Sequence, residues 1–197
     1  GGGPAGIMCG FLLARAGIDV VVLEKHKDFF RDFRGDTVHP STLRALNDLG
    51  LLEDFRKIPH QELRDLAFEI EGVRYPVGDF RHLPGPANFI ALMPQWDFLN
   101  FLAEKAKAFP RFHLMMEAKA TDLIEENGRV TGLVAETKNG PLRIAADLVI
   151  GADGRHSTIR EKAGFVPKDL GAPIDVVWLK LPRKPGDPQA VLGRATA

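Results

Sequence analysis

The sequence predicts an α/β fold in which a parallel-sheet unit is interleaved with antiparallel strands. Three observations predict it. The chain opens on a glycine cluster, Gly1-Gly2-Gly3-Pro4-Ala5-Gly6, followed by an apolar helical stretch and the run Asp19-Val20-Val21-Val22-Leu23. Two blocks, 66–77 and 112–145, alternate apolar with polar residues between Gly-containing turns and read as antiparallel strands. A second apolar run, Asp147-Leu148-Val149-Ile150, leads into Gly151-Ala152-Asp153-Gly154, and small residues at the carboxyl end of a parallel strand are where doubly wound sheets bind ligands.

The glycine cluster carries the most chemistry. Gly1, Gly3 and Gly6 form G-x-G-x-x-G, and Gly10 extends the pattern. A tight turn, a close backbone approach by a pyrophosphate and a helix packed near a strand each require a residue without Cβ. The helix that follows directs its free N–H groups and positive dipole end at the phosphates. Pro4 suits its first turn, where no N–H partner is needed. Ile7, Phe11, Leu12 and Ala14 make this helix mostly apolar, and Ala16-Gly17 stops it. The apolar run after it reads as a buried parallel strand ending on Glu24, about where a dinucleotide fold places the carboxylate that holds a ribose. Such a fold also has a hydrophobic strand before its first glycine. This sequence starts at the glycine and has no initiator Met, so it is expected to be part of a longer protein.

Composition narrows the function classes. In 197 residues, 45% are hydrophobic, enough for a real core, and the formal net charge is zero. Neither nucleic acid nor membrane is indicated as a partner, and no apolar run approaches a bilayer-spanning length. Cytoplasmic residence follows as the default. The single cysteine, Cys9, excludes a disulfide scaffold within this chain and reads as a small core residue. The six histidines show no metal-ligand spacing and read as surface or turn residues, with His39 the least secure because it lies beside Arg34-Gly35-Asp36. No nucleophile elbow or P-loop is present.

Further along the chain, residues 25–33 read as a charged loop. Pro40 opens a helix with Leu43, Leu46 and Leu49 on one face and Gly50 as its stop, and 51–58 adds a short helix. Arg34 precedes these helices. It reads equally as a surface arginine or as a guanidinium paired with a pyrophosphate. Residues 66–70 and 72–77 form a hairpin, and 88–93 a further strand, so that 65–94 is an antiparallel insertion. Gln95 opens an amphipathic helix to Ala108, with Phe98, Leu99 and Leu102 on its apolar face. Strands 112–116, 120–125, 130–136 and 142–145, with turns at Asn127-Gly128 and Asn139-Gly140, read as a β-meander spanning 112–146. Met115 and Met116 read as strand core. Ser157 starts a helix, and 174–182 reads as another strand before a polar, Pro-containing loop.

In order, the glycine motif with Glu24, Arg34-Gly35-Asp36-Thr37-Val38-His39-Pro40 and Gly151-Ala152-Asp153-Gly154 resemble the FAD-dependent aromatic hydroxylases, a flavoprotein monooxygenase family. The resemblance covers essentially the whole chain. It implies a Rossmann-like FAD-binding domain with a β-meander, interleaved with part of an antiparallel substrate domain. Residues 1–64 and 95–165 would belong to the FAD-binding domain, 65–94 to the substrate sheet, and 166–197 to the start of a further part of that sheet.

The resemblance also implies site roles. Gly1, Gly3, Pro4, Ala5 and Gly6 would cradle the FAD pyrophosphate, with Glu24 on the adenosine ribose and Lys25 beside it. Arg34 and Gln95 match family positions along the FAD. Asp153 matches a residue linked to both FAD and NAD(P)H, and Ala120 would offer its backbone to the adenine. Asp36 falls near the aspartate that helps deprotonate a phenol. The family's third FAD motif is expected beyond this chain. The implied activity uses NADPH or NADH and O2 to insert one oxygen atom into an aromatic or similarly electron-rich small molecule. Three other readings stand beside it: a halogenase or isoprenoid reductase of the same superfamily, an NAD-dependent dehydrogenase, and an inactive truncated FAD-binding fragment. Halogenases tend to carry a separate Trp-containing motif, whereas Trp96 and Trp178 sit in ordinary helix and strand contexts.

Overall fold

The computed structural model describes residues 1–30, 37–171, 184, 186 and 193–195. In chain order the helices are α1 (Pro4–Arg15), α2 (Pro40–Asp48), α3 (Leu52–Arg56), α4 (Gln95–Ala106) and α5 (Thr158–Lys162). The strands are β1 (Val20–Leu23), β2 (Thr37–Val38), β3 (Gln61–Leu63), β4 (Asp65–Ile70), β5 (Val73–Asp79), β6 (Ile90–Leu92), β7 (Phe112–Met115), β8 (Ala118–Glu126), β9 (Arg129–Thr137), β10 (Gly140–Ala145) and β11 (Gly193–Ala195). They divide into two compact units, Gly1–Arg31 with Phe98–Asp175 and Asp32–Asp97 with Val176–Ala197.

In the first unit β1 and β7 pair in parallel, from Val20 opposite Phe112 to Leu23 opposite Met115. Helix α1 lies on this pair and buries Ile7, Phe11 and Ala14. Gly10 permits the approach: a Cβ there would stand 2.5 Å from Val22 Cγ2 and 3.0 Å from a Phe112 ring carbon. The helix ends in a Schellman motif, with Gly17 at φ 83°, its N–H on the Ala14 carbonyl and the Ile18 N–H on the Leu13 carbonyl. The stop expected at Ala16-Gly17 thus has its mechanism in a left-handed glycine.

The meander of this unit has three strands, β8, β9 and β10. The first strand expected of it, 112–116, is observed as β7 (Phe112–Met115) and pairs with β1 instead. Met116 and Glu117 alone separate β7 from β8, and Glu117 turns the chain in the left-handed region at φ 55°. Strand β7 follows α4, and a parallel neighbour needs such an intervening crossover. Asn127 and Gly128 turn β8 into β9 at φ 53° and 76°, the double positive φ of a type I′ hairpin. Leu23, Ala118 and Ala135 are buried together, with Met115, Ala120, Leu133 and Ile144 packed on them.

The run 147–150 is a second departure from expectation. It forms no ladder among the described residues, and Leu148 and Ile150 are 72% and 50% exposed. A strand exists only where a neighbour takes up its N–H and C=O groups, and apolarity alone does not supply one.

In the second unit β4 and β5 form the expected hairpin, turning at Glu71 and Gly72 with φ 50° and 79°. Strand β11 pairs with β4 in parallel, an addition the sequence reading did not contain. Strand β6 lies between β2 and β3, antiparallel to both. Helix α2 begins with Pro40 at its first turn, buries Leu43 and Leu46, and gives way at Gly50 to α3, whose Phe55 is fully buried. His60, read as a surface or turn residue, lies in the connection between α3 and β3 with its side chain turned inward. Its side chain is 7% exposed, stacked 6.0 Å from the Phe89 ring and tilted at 5.3 Å from the Phe55 ring. The strand expected at 174–182 lies outside the described residues.

Candidate functional site: a glycine loop closed by a buried carboxylate

Helix α1 starts at Gly3 with no side-chain cap and no acid in its first turn. Its leading N–H groups meet no competing carboxylate there, and the helix dipole adds partial positive charge. The glycines before it are constrained in different ways. A Cβ on Gly6 would overlap the Gly1 carbonyl oxygen, and one on Gly1 would overlap the Ala152 carbonyl oxygen. A Cβ on Gly2 would lie 2.7 Å from Glu24 Cβ. At Gly3 nothing lies within 4 Å. Gly1, Gly2 and Gly6 are therefore required by the protein's own packing, whereas Gly3 faces open space beside an uncapped helix end. That cradle fits a phosphate group: backbone donors at an uncapped helix end, no side chain in the way at Gly3, and no acidic residue in the first turn of the helix.

Glu24 closes the loop from the end of β1. It is 8% exposed, and a buried carboxylate must be hydrogen-bonded to be tolerated. Its Oε2 accepts from the Gly2 N–H at 3.2 Å, and its Oε1 accepts from the His26 N–H at 2.9 Å. The His26 Nδ1 lies 2.6 Å from the same Oε1. The backbone here is clamped on both sides. The Glu24 N–H donates to the Met115 carbonyl, and the Ala118 and Glu117 N–H groups donate to the carbonyls of Glu24 and His26. Ala118 and Ala120, two residues apart on β8, run away from this point, and Ala120 is half-buried where the β8–β9 register shifts. Lys25 is exposed.

Asp153 comes to the loop from the other side of the sequence, through the backbone that blocks a Cβ on Gly1. Its Oδ1 accepts from the buried Ser157 hydroxyl and its Oδ2 from the Ile159 N–H at 3.1 Å. Ser157 in turn caps α5, accepting from the Arg160 N–H at 2.9 Å. Partial burial pushes the Asp153 carboxyl up. The hydrogen bonds from Ser157 and from backbone N–H groups, including those of Ile159 and Thr158, outweigh this and hold it below the ordinary aspartate range.

The first unit thus brings together Gly1, Gly3, Pro4, Ala5, Gly6, Glu24 and Asp153, with Ala120 on the strand that starts beside Glu24. Gln95 belongs to the second unit, where it is half-buried at the start of α4. Arg34 and Asp36 lie outside the described residues. Three contributors were missed by the sequence reading. Gly2 was treated as the filler of G-x-G, His26 as part of a charged loop, and Ser157 only as a helix start. The available signals were the third consecutive glycine, a histidine two residues past the strand-end acid, and an Asp-x-x-x-Ser spacing ahead of a helix.

Residues 1–188 match the FAD binding domain family. The chain is 38% identical over 183 residues to 6-methylpretetramide 4-monooxygenase of Streptomyces rimosus, spanning 92% of this chain and 44% of that protein. It is 27% identical to para-nitrophenol 4-monooxygenase of a Pseudomonas species, over 84% of this chain and 41% of that protein. Its fold superposes on the crystal structure of p-nitrophenol 4-monooxygenase from Pseudomonas putida with a TM-score of 0.75 at 27% identity, covering 83% of this chain and 42% of that one. The chain spans less than half the length of these relatives. With a cradle that fits a phosphate at its start and this match along nearly its whole length, the chain belongs to the FAD binding domain family.

Proposed function

We propose that this chain is the FAD-binding portion of an NAD(P)H-consuming monooxygenase that inserts one atom of O2 into an aromatic small molecule. The observation that carries the reading is the glycine cradle at an uncapped helix end, closed by Glu24, in a chain of the FAD binding domain family. FAD, when bound, supplies the electron transfer and oxygen activation that side chains cannot. The protein's own residues bind and orient. The first-turn N–H groups of α1, with Gly1, Gly3, Pro4, Ala5 and Gly6, receive the pyrophosphate. Glu24 takes the ribose hydroxyls, with Lys25 and the Ala120 backbone toward the adenosine end.

Asp153 steadies the cofactor side through the α5 cap. Arg34 and Gln95 lie along the dinucleotide, and Asp36 takes a proton from a phenolic substrate. Residues 65–94 and 166–197 belong to the substrate side and the remainder to the cofactor side. An aromatic substrate is supported by the relatives named for para-nitrophenol. A cytoplasmic setting is part of the same reading; among the described residues no helix is long and apolar enough to cross a membrane.

The test is the visible spectrum of the intact protein, followed by NADH or NADPH consumption in air with and without para-nitrophenol or a related phenol as probe. A flavin spectrum and phenol-stimulated nucleotide oxidation are expected. A colourless protein that takes up no added FAD overturns the cofactor assignment. Flavin uptake with no nucleotide oxidation for any phenol overturns the monooxygenase assignment.

A further inference from the structure

We infer that His26 is a positioning residue for the adenosine end of the cofactor: it locks the Glu24 carboxylate in the orientation that receives the ribose. The inference rests on the FAD reading above and adds a residue to it. An ionised carboxylate only accepts, so the 2.6 Å contact between His26 Nδ1 and Glu24 Oε1 requires the proton on Nδ1. The same oxygen also receives the His26 backbone N–H, while the other oxygen receives the Gly2 N–H. With both oxygens held in this way, rotation of the carboxyl plane would break at least one hydrogen bond. An exposed histidine would be a poor anchor if its backbone were loose. Here the His26 carbonyl accepts from Glu117 at 2.9 Å, and Glu117 is held in the left-handed region at φ 55° to make that bond. The ring is 44% exposed while the carboxylate it holds is 10% exposed, so the buried acid is oriented by a side chain that reaches it from the surface. A group that pre-sets a binding side chain reduces the ordering that ligand binding must otherwise supply.

The experiment titrates FAD into the apo form of the intact protein carrying His26→Ala, His26→Asn, Glu24→Gln or the Glu24→Gln/His26→Ala pair. Asparagine carries an N–H on the atom that replaces Nδ1 and can restore the contact. His26→Ala is expected to weaken FAD binding by about tenfold, the scale of one lost hydrogen bond to a charged group. His26→Asn is expected to recover most of that loss, and His26→Ala to cost little further once Glu24 is glutamine. The inference is overturned if His26→Ala binds FAD as tightly as the wild type, if His26→Asn is as weak as His26→Ala, or if the full loss persists in the Glu24→Gln background. A wild-type protein that binds no FAD overturns this inference together with the cofactor assignment. Tight wild-type binding with indifferent variants overturns the inference alone.

Discussion

Gly6 packs so closely on Gly1 that a single added methyl group would overlap the Gly1 carbonyl oxygen. Gly3, in the same motif, meets nothing within 4 Å. The two positions therefore separate folding from binding. Gly6→Ala forces the loop backbone to move, and overpacking of this kind costs about 1–3 kcal/mol. Gly3→Ala, at a helix N-cap with extended backbone (φ −73°, ψ −179°), meets no clash and costs about 0.5–1 kcal/mol, the preference of an N-cap for glycine over alanine. Thermal melts of the apo proteins should place both variants below the wild type, with Gly6→Ala the lower of the two. Both should lose flavin on gel filtration. A Gly3→Ala protein that keeps its flavin would show that this open space is not where the phosphates sit.

Asp153 should make the protein's stability sensitive to acid. Its folded pKa lies below its ordinary value, so its contribution is fully present above the ordinary aspartate pKa and is lost as pH falls through the folded value. Asp153→Asn removes the carboxylate that accepts from Ser157 and Ile159, and should cost about 1 kcal/mol at neutral pH. Urea denaturation at a series of pH values should show the gap between variant and wild type closing in acid. A gap that is constant with pH would mean that Asp153 contributes through shape and not through its charge.

Phe89 is the anchor of the second unit. Its ring is fully buried, His60 stacks on it, and the Arg56 and Arg64 guanidinium carbons lie 5.5 and 5.3 Å from its centroid. Arg56 also donates to the Pro86 carbonyl at 2.7 Å, and Arg64 donates to Asn88, so the Pro84–Ala87 loop hangs on the same cluster. Phe89→Ala should destabilise by about 3–5 kcal/mol, and Phe89→Leu by less, because leucine fills part of the cavity. Denaturant titration of the two variants reads the difference. Equal losses would show that the aromatic face, and not buried volume, holds the cluster.

Much of the fold was legible because its signals are local. The N-terminal proline of α1, the left-handed glycine after it, the Val20–Leu23 run and the Asn127-Gly128 hairpin each act within a few residues. The candidate site was legible in the same measure: the glycine spacing, the strand-end acid and the Asp153 segment could be named from order along the chain. What that order could not state was how each group is engaged.

The sequence by itself determined that a helix would start on a bare glycine loop and that an acid would end the next strand, since both follow from backbone conformational freedom and apolar periodicity. Only the tertiary structure decided that β7 would join β1 and leave the meander with three strands. It also decided that Glu24 would reach back 22 residues to the Gly2 N–H, and that Asp153 would be engaged by the α5 cap. The physical reason is range. Turn and helix preferences are set by neighbouring residues, whereas the partner of a strand edge or a buried carboxylate is whichever group the rest of the fold brings within hydrogen-bonding distance.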